Sequence, residues 1–189
     1  MIYNYQIIIE YLGKDFVGWQ AQKNGKSIQL VIERTLSKIF KSKIKINGSG
    51  RTDAGVNALG QSANFYLNNK IKNSFKFLAS TNFFLRKHKI SIIKIKRRNL
   101  KFHARHSAKN REYEYVILNR PAKASIDSDR VWQVFKILSI DKMKKATSYF
   151  LGTHDFSAFR ASSCTAKSPI KTISSAKIKK KVIKYLLIL

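Results

Sequence analysis

A single acidic side chain, Asp53, stands in a glycine-rich segment that is suited to presenting a functional group. Residues 48–55 read GSGRTDAG, and three glycines within eight residues argue against a helix or a strand. A shaped loop of this kind can hold a carboxylate rigidly at a pocket. An aspartate in such a turn is also often a turn former that bonds nearby backbone, so the spacing alone leaves both interpretations open.

An arginine two positions before Asp53 can supply the cation that a working carboxylate needs. A water-poor pocket disfavours the charged form of any carboxylate, because desolvation is costly for an ion. Arg51 can keep Asp53 charged and in position, or it can contact a phosphate group. A surface arginine without such a role is the alternative.

The charge balance indicates a polyanionic partner. Lysine and arginine number 38 against 10 aspartate and glutamate residues, a formal net charge of +28. Charge of this size favours RNA, DNA or an anionic membrane, although a coding bias towards lysine explains part of the excess. The lysine-rich stretches 94–101 and 177–184 could follow a sugar-phosphate backbone, with solvated faces as the alternative.

Cysteine usage and the N-terminus indicate a cytoplasmic protein. The one cysteine, Cys164, excludes an internal disulfide and a multi-cysteine zinc site, and it is interpreted as an ordinary small residue. The first four residues include no basic region leading into an apolar one, and no stretch approaches the roughly 18 apolar residues of a membrane span.

The first part of the chain predicts an alternation of strands and helices. Apolar and aromatic residues alternate over 3–11, which predicts a strand, and Ser27 can cap a helix over 28–40. Residues 14–26 are expected to form a loop. After the short alternating segment 43–46 and the glycine-rich loop come two strands, 62–67 and 90–96, with a helix between them that carries Phe75, Leu78 and Phe83.

The pattern begins again in the second part. Residues 111–118 predict a strand with Tyr113, Tyr115 and Ile117 on one face. After a loop over 121–130, an apolar stripe from Ile140 to Phe150 predicts a helix that Gly152 could terminate, and 170–189 supplies two more strand-like runs. We therefore expect an α+β protein of two ferredoxin-like, RRM-like halves, 1–105 and 106–189.

Residues 48–61, GSGRTDAGVNALGQ, are similar to the signature of the TruA family of tRNA pseudouridine synthases. Further blocks resemble the family in its order: Tyr11 with 16–22, then 102–108, 111–115 and 150–159. The resemblance covers essentially the whole chain. It implies a pseudouridine-synthase fold with a mixed, largely antiparallel sheet flanked by helices. It also implies isomerisation of uridine to pseudouridine at nucleotides 38 to 40 of the tRNA anticodon arm, without cofactor or metal.

The resemblance assigns roles to three side chains. Asp53 corresponds to the carboxylate that attacks the target nucleotide or its detached ribose, so that the uracil turns and rejoins through carbon. Arg51 corresponds to the basic residue of the same loop. Tyr113 corresponds to an active-site tyrosine whose ring can stack on the extruded uracil and whose hydroxyl can assist proton transfer, with a core tyrosine as the alternative.

Other residues are expected to contact RNA. His103 and Arg105, with His106, suit phosphate and base contacts, and a metal site is the rival interpretation of the histidines. Loop residues expected to shape the RNA-facing surface are Trp19, Gln20 and Gln22, although a tryptophan in the core is a fair alternative. His154 and Asp155 could form a second acid/base pair, but they are equally compatible with a role in packing and loop structure.

The match departs from the family at several positions. Asn57 stands where a histidine is usual, Ser62 replaces a usual valine, and Lys171 replaces a usual arginine. Family members continue past the final strand, so we expect a shortened C-terminal half. A catalytically impaired RNA-binding remnant is therefore an alternative to the enzyme, and a metal-dependent nuclease is a weaker one. The family also implies a homodimer.

Overall fold

The computed structural model describes residues 1–22, 25–160, 168–181 and 184–188, with only the backbone described for 181 and 184–187. Cys164 lies outside the described residues. The chain forms two compact units, residues 1–109 (unit 1) and 110–189 (unit 2). The boundary expected after residue 105 falls in the segment that closes unit 1.

Unit 1 contains one four-stranded antiparallel sheet and two long helices. The sheet order is β2-β3-β1-β4, so the chain runs β-α-β-β-α-β with each crossover skipping a strand, which is the ferredoxin-like arrangement that the sequence predicted. The elements are β1 (Tyr3–Tyr11), α1 (Ile28–Phe40), β2 (Ile46–Gly48), β3 (Ala58–Leu67), α2 (Ser74–Leu85), a 3-10 turn (Arg86–His88) and β4 (Ile90–Arg98).

The helices cover one face of this sheet. Ile7 and Ile9 of β1 are fully buried, because alternate residues of a strand point to the same side. They pack with the apolar stripe of α1, which includes Ile32 and Leu36. The Ser27 side chain accepts a hydrogen bond from the Leu30 amide and so begins α1 where the sequence predicted.

Unit 2 has a smaller sheet, a single α-helix among its described residues, and a separate two-stranded ribbon. The sheet order is β6-β5-β10-β9, with β5 and β6 parallel, and β7 pairs with β8. The elements are β5 (Glu114–Asn119), β6 (Trp132–Val134), α3 (Ile140–Ser148), β7 (Gly152–Asp155), a 3-10 turn (Ser157–Phe159), β8 (Ile170–Ile173), β9 (Lys177–Lys181) and β10 (Lys184–Ile188).

The elements β5, α3, β9 and β10 reproduce the first β-α-β-β of a ferredoxin-like half, with β10 between β5 and β9. The position on the other side of β5 belongs to the short strand β6, which the sequence did not predict. In the described parts of the chain, no helix has the length and apolar content needed to cross a bilayer.

Several element boundaries differ from the predictions. In unit 1, β2 lies at 46–48 and not at 43–46, β3 begins at Ala58 and not at residue 62, and β4 continues to Arg98 and not only to residue 96. The strand expected from residue 111 begins at Glu114, so Tyr113 precedes it. The helix expected to reach Phe150 ends at Ser148, because the amides of Tyr149 and Phe150 bond to carbonyls three residues earlier and tighten the last turn. Gly152 then adopts a φ of +100° and begins β7.

Candidate active site

The segment between β2 and β3, residues 49–57, is the Asp53 loop. Its first two residues are tied to the sheet. The Ser49 amide donates to the carbonyl of Ser62 at 2.8 Å, and the Gln61 side-chain amide donates to the carbonyl of Gly50 at 2.6 Å. The path of the backbone that leads into Asp53 is therefore set by hydrogen bonds to β3 and not by the loop alone.

The middle of the Asp53 loop is tied to the end of β1 and to the segment that follows it. The Trp19 amide donates to the carbonyl of Thr52 at 3.0 Å, and the hydroxyls of Tyr11 and Thr52 are 2.8 Å apart. The Gly13 amide donates to Oδ1 of Asn57 at 2.8 Å. Bonds on both sides of Asp53 thus hold its backbone, and none of them uses the carboxylate.

Glycines allow this close approach of two loops. A Cβ on Gly13 would lie 2.1 Å from the carbonyl oxygen of Val56, and one on Gly18, whose φ is +107°, would lie 2.6 Å from that of Thr52. Gly55 has a φ of +79° in a turn closed by the bond from the Val56 amide to the Asp53 carbonyl, 3.2 Å. The glycines that surround Asp53 therefore serve backbone packing and turning.

Asp53 and Arg51 both have exposed side chains, so the carboxylate is accessible to a nucleotide. Both residues are described by the structure, and no salt bridge joins them: the ion pairs found there connect other residues. The expected role of Arg51 in keeping Asp53 charged and in position therefore stays a prediction that no direct contact supports. The second expected role of Arg51, a phosphate contact, is compatible with its exposure.

Trp19 lies in the core and not on an RNA-facing surface. Its side chain is only 3% exposed, and its ring packs 6.1 Å from that of Tyr11. A Cβ on Gly48 would lie 2.5 Å from its indole nitrogen, so β2 lies directly against the ring. The expectation of RNA contact is corrected for Trp19, whereas Gln20 and Gln22 are exposed as such a contact requires.

Tyr113 belongs to unit 2 and immediately precedes β5. Its side chain is 53% exposed. The alternative of a core tyrosine is therefore excluded, and the ring is accessible to a stacking partner.

Two buried asparagines that the sequence analysis missed anchor the segment carrying His103 and Arg105. Asn64 accepts a hydrogen bond from the Ala104 amide at 2.9 Å and donates to Asn4 at 3.0 Å. Asn4 donates in turn to the carbonyl of Phe102 at 2.8 Å. A fully bonded polar network inside a sheet specifies one position for the segment. The available signal was an asparagine between two tyrosines at the start of β1.

His103 is held in one tautomer by its neighbours. Its Nδ1 accepts a hydrogen bond from the Arg105 amide at 3.2 Å, which leaves the proton of the neutral ring on Nε2. Partial burial is the largest cause that lowers the pKa of His103, and the charges of His106 and Arg105 lower it further. At neutral pH the ring therefore offers a hydrogen bond rather than a positive charge, while Arg105 is exposed and charged.

Among the described residues, the histidine pair has no further metal-ligand companion. The rings of His103 and His106 are 4.5 Å apart. Across the part of the chain that the structure describes, no three side chains of the His, Cys, Asp and Glu types lie together as a metal site would require.

The face of the unit 1 sheet opposite the helices is polar and basic. Strand pairing places Gln6 beside Asn64 on one side and Lys96 on the other, with Lys94 and Arg98 at neighbouring positions of the same face. The Arg98 guanidinium donates to Gln6 at 2.8 Å. We call the surface formed by Gln6, Ser62, Lys94, Lys96 and Arg98 the open face.

The departures from the TruA pattern have local structural consequences. Asn57 supplies the acceptor for the Gly13 amide, and Ser62 accepts a hydrogen bond from Gln6 at 2.8 Å. Lys171 donates to the carbonyl of Ser168 at 2.7 Å.

His154 and Asp155 form loop structure. Asp155 accepts hydrogen bonds from the amide and the hydroxyl of Ser157, and His154 bonds to the carbonyl of Leu151.

Comparisons with known proteins agree on one family. Residues 7–107 and 146–186 match the sequence family described as tRNA pseudouridine synthase. The chain is 54% identical over 180 residues to tRNA pseudouridine synthase A of Pelagibacter ubique (strain HTCC1062), covering 95% of this chain and 73% of the relative. It is 43% and 42% identical over 175 residues to proteins of the same name from two strains of Ehrlichia ruminantium, Welgevonden and Gardel, covering 92% of this chain and 71% of each relative.

Proposed function

The chain belongs to the tRNA pseudouridine synthase family, an isomerase family, and from this premise we propose that it converts uridine to pseudouridine at nucleotides 38 to 40 of the tRNA anticodon arm with Asp53 as the nucleophile. The observation that carries the proposal is an exposed carboxylate on a loop whose backbone is held on both sides.

The reaction is an isomerisation, so the product has the same elemental composition as the substrate. The carboxylate of Asp53 attacks the target nucleotide or its detached ribose, and the bond between ribose and the uracil nitrogen breaks. The base turns, a carbon-carbon bond joins it to the ribose, and the bond to Asp53 breaks, which releases the free carboxylate. The hydrogen displaced from that ring carbon leaves as a proton, while the ring nitrogen gains one. A nucleophile held in position lowers the entropic part of the barrier, so rigidity of the Asp53 loop contributes directly to rate.

The remaining candidate residues are proposed to bind the RNA. Tyr113 offers an exposed ring for stacking on the extruded uracil, and Arg51 offers a guanidinium to phosphate. Arg105 and the Nε2 hydrogen of His103 suit further backbone contacts, as do Gln20, Gln22 and the open face. Because such contacts release counterions, tRNA affinity should fall steeply with rising salt concentration.

Replacing Asp53 with asparagine tests the nucleophile. Asp53→Asn keeps the size of the side chain but removes its charge, and we expect turnover to fall at least about a thousandfold. The assay is release of tritium from tRNA labelled at carbon 5 of uracil. Asp15→Asn is the matched control, since Asp15 is a half-exposed carboxylate whose contact is to Lys89 at 3.7 Å. Pseudouridine formation at the normal rate in Asp53→Asn would contradict the proposal.

We also propose, from the family resemblance, that the protein acts as a cytoplasmic homodimer. Analytical ultracentrifugation across a range of protein concentrations tests the oligomeric state. A monomer at every concentration, with or without tRNA, would contradict it.

A further inference from the structure

The hydroxyl of Tyr11 is buried beside the Asp53 loop. Tyr11 is the last residue of β1 and is 2% exposed. A phenol hydroxyl loses its contacts with water on burial, so it needs a partner. Its partner is the hydroxyl of Thr52 at 2.8 Å, the residue immediately before Asp53.

An irregularity in strand pairing accompanies this placement. Ile9 pairs with Gln61, but Tyr11 pairs with Ala58, so the register shifts between Ile9 and Tyr11. Such bulges change the direction of a side chain at the end of a strand, and they are frequent beside active sites. Here the shift occurs where β1 meets the Asp53 loop.

We propose that Tyr11 is a positioning residue for the reaction, which holds the Asp53 carboxylate in its reactive location through the hydroxyl of Thr52. The inference rests on the proposed nucleophilic role of Asp53. Thr52 is held at two points, its hydroxyl by Tyr11 and its carbonyl by the Trp19 amide. The hydrogen bond to the Thr52 carbonyl fixes the peptide plane between Thr52 and Asp53. The hydrogen bond to the Thr52 hydroxyl fixes the side chain of Thr52 against the core.

The role of Tyr11 is one of position and not of proton transfer. Burial raises the pKa of Tyr11, and the hydrogen bond to Thr52 opposes this shift only in part. The phenol therefore stays neutral over the pH range of an enzyme assay. Loss of its hydroxyl should change the rate without changing the shape of the pH-rate profile.

The chain offers a matched control for removing this hydroxyl. Tyr5 is also a buried tyrosine of β1, and its hydroxyl accepts a hydrogen bond from the Ile71 amide at 2.8 Å, away from the Asp53 loop. Tyr11→Phe and Tyr5→Phe each remove one buried hydroxyl, so both should lower stability by a similar amount. Only Tyr11→Phe should affect the reaction.

We expect Tyr11→Phe to lower kcat about tenfold while leaving KM for tRNA unchanged. Thr52→Val should reproduce the loss and Thr52→Ser should restore most of the rate, because serine keeps the hydroxyl. The double variant Tyr11→Phe with Thr52→Val should be no slower than either single variant, since both remove the same hydrogen bond. A kcat for Tyr11→Phe equal to that of Tyr5→Phe would overturn the inference.

Amide hydrogen exchange gives a readout that does not need turnover. The amides of Trp19 and Val56 bond to the carbonyls of Thr52 and Asp53, so they report on the loop. Both should exchange about tenfold faster in Tyr11→Phe but not in Tyr5→Phe. Unchanged exchange in Tyr11→Phe would overturn the inference by itself. Activity of Asp53→Asn would instead refute the proposed function, whereas an inactive Asp53→Asn beside a fully active Tyr11→Phe would refute only the role of Tyr11.

Discussion

The two units differ in how their apolar side chains are used. In unit 1 the core runs continuously from β1 through α1 and β3 to β4 and includes fully buried residues such as Ile7, Phe65 and Ile92. In unit 2 the buried residues among the described side chains are Ile117, Leu118 and Thr147, whereas Phe135 is 56% exposed and Ile137 is 97% exposed.

The more completely buried core lies in the unit that carries the proposed nucleophile. The Asp53 loop belongs to the unit with the continuous core, and its hydrogen bonds reach buried parts of that core such as Tyr11 and Trp19. A nucleophile must be held close to its productive geometry, which requires supporting groups that do not move themselves. Tyr113, proposed to stack on a base, lies instead in the unit with the more exposed surface.

The largest expected effect comes from emptying the core of unit 1. Phe65 packs against the rings of Tyr5, Phe40 and Phe77 at centroid distances of 5.9, 6.4 and 6.3 Å. Phe65→Ala should lower the free energy of unfolding by about 4 kcal/mol, because it leaves a cavity among these rings. Phe135→Ala in unit 2 should cost less than about 1 kcal/mol. Urea unfolding measures both, and equal losses would show that the two units do not differ in this way.

A smaller effect should follow from adding one methyl group where two loops meet. Gly13→Ala would place a carbon 2.1 Å from the Val56 carbonyl oxygen, so the backbone of the Asp53 loop must shift, at about 3 kcal/mol. In unit 2, a Cβ on Gly152 would lie no nearer than 3.5 Å to another atom, the Nε2 of His154. Gly152→Ala should therefore cost only the strain of a φ of +100°, about 1 kcal/mol. Thermal unfolding and turnover are the measurements. Turnover of Gly13→Ala equal to that of Gly152→Ala would argue against a tightly packed loop in unit 1.

The smallest effect concerns pH. Partial burial and the charges of His106 and Arg105 lower the pKa of His103 in the folded protein below its usual 6.5. The unfolded chain then binds the proton more readily, so stability should fall as pH drops below 6.5 and level off below the folded pKa. His103→Gln should flatten that part of the stability curve. NMR titration gives the pKa directly, and a midpoint at or above 6.5 would contradict the expectation.

The regular elements of unit 1 were predictable because local patterns specify them. Alternation over residues 3–11 and the Ser27 cap before an apolar stripe gave β1 and α1 at their observed boundaries. Unit 2 was less predictable. The three-residue strand β6 carries too short a pattern to detect, and it exists as a strand because it pairs with β5.

The candidate site shows the same division. Asp53 could be singled out from a glycine-rich run and a family signature, since both are properties of consecutive residues. The buried position of Trp19 could not be predicted from the sequence, because a tryptophan in a loop can lie on the surface as well as in the core. Only its contacts with Tyr11 and Gly48 decide between them.

Residue types and their periodicity were sufficient for the strand and helix order of unit 1. The resemblance of consecutive residues to a family signature was sufficient for membership of the family, and it singled out Asp53 as the proposed nucleophile. The supports of that carboxylate required the folded chain, since Tyr11 and Thr52 are 41 residues apart and Gly13 and Asn57 are 44 apart. Backbone amides and hydroxyls occur throughout any sequence and bond to whatever the fold brings near them. Their partners are therefore decided by packing in three dimensions, whereas a periodic pattern acts along the chain.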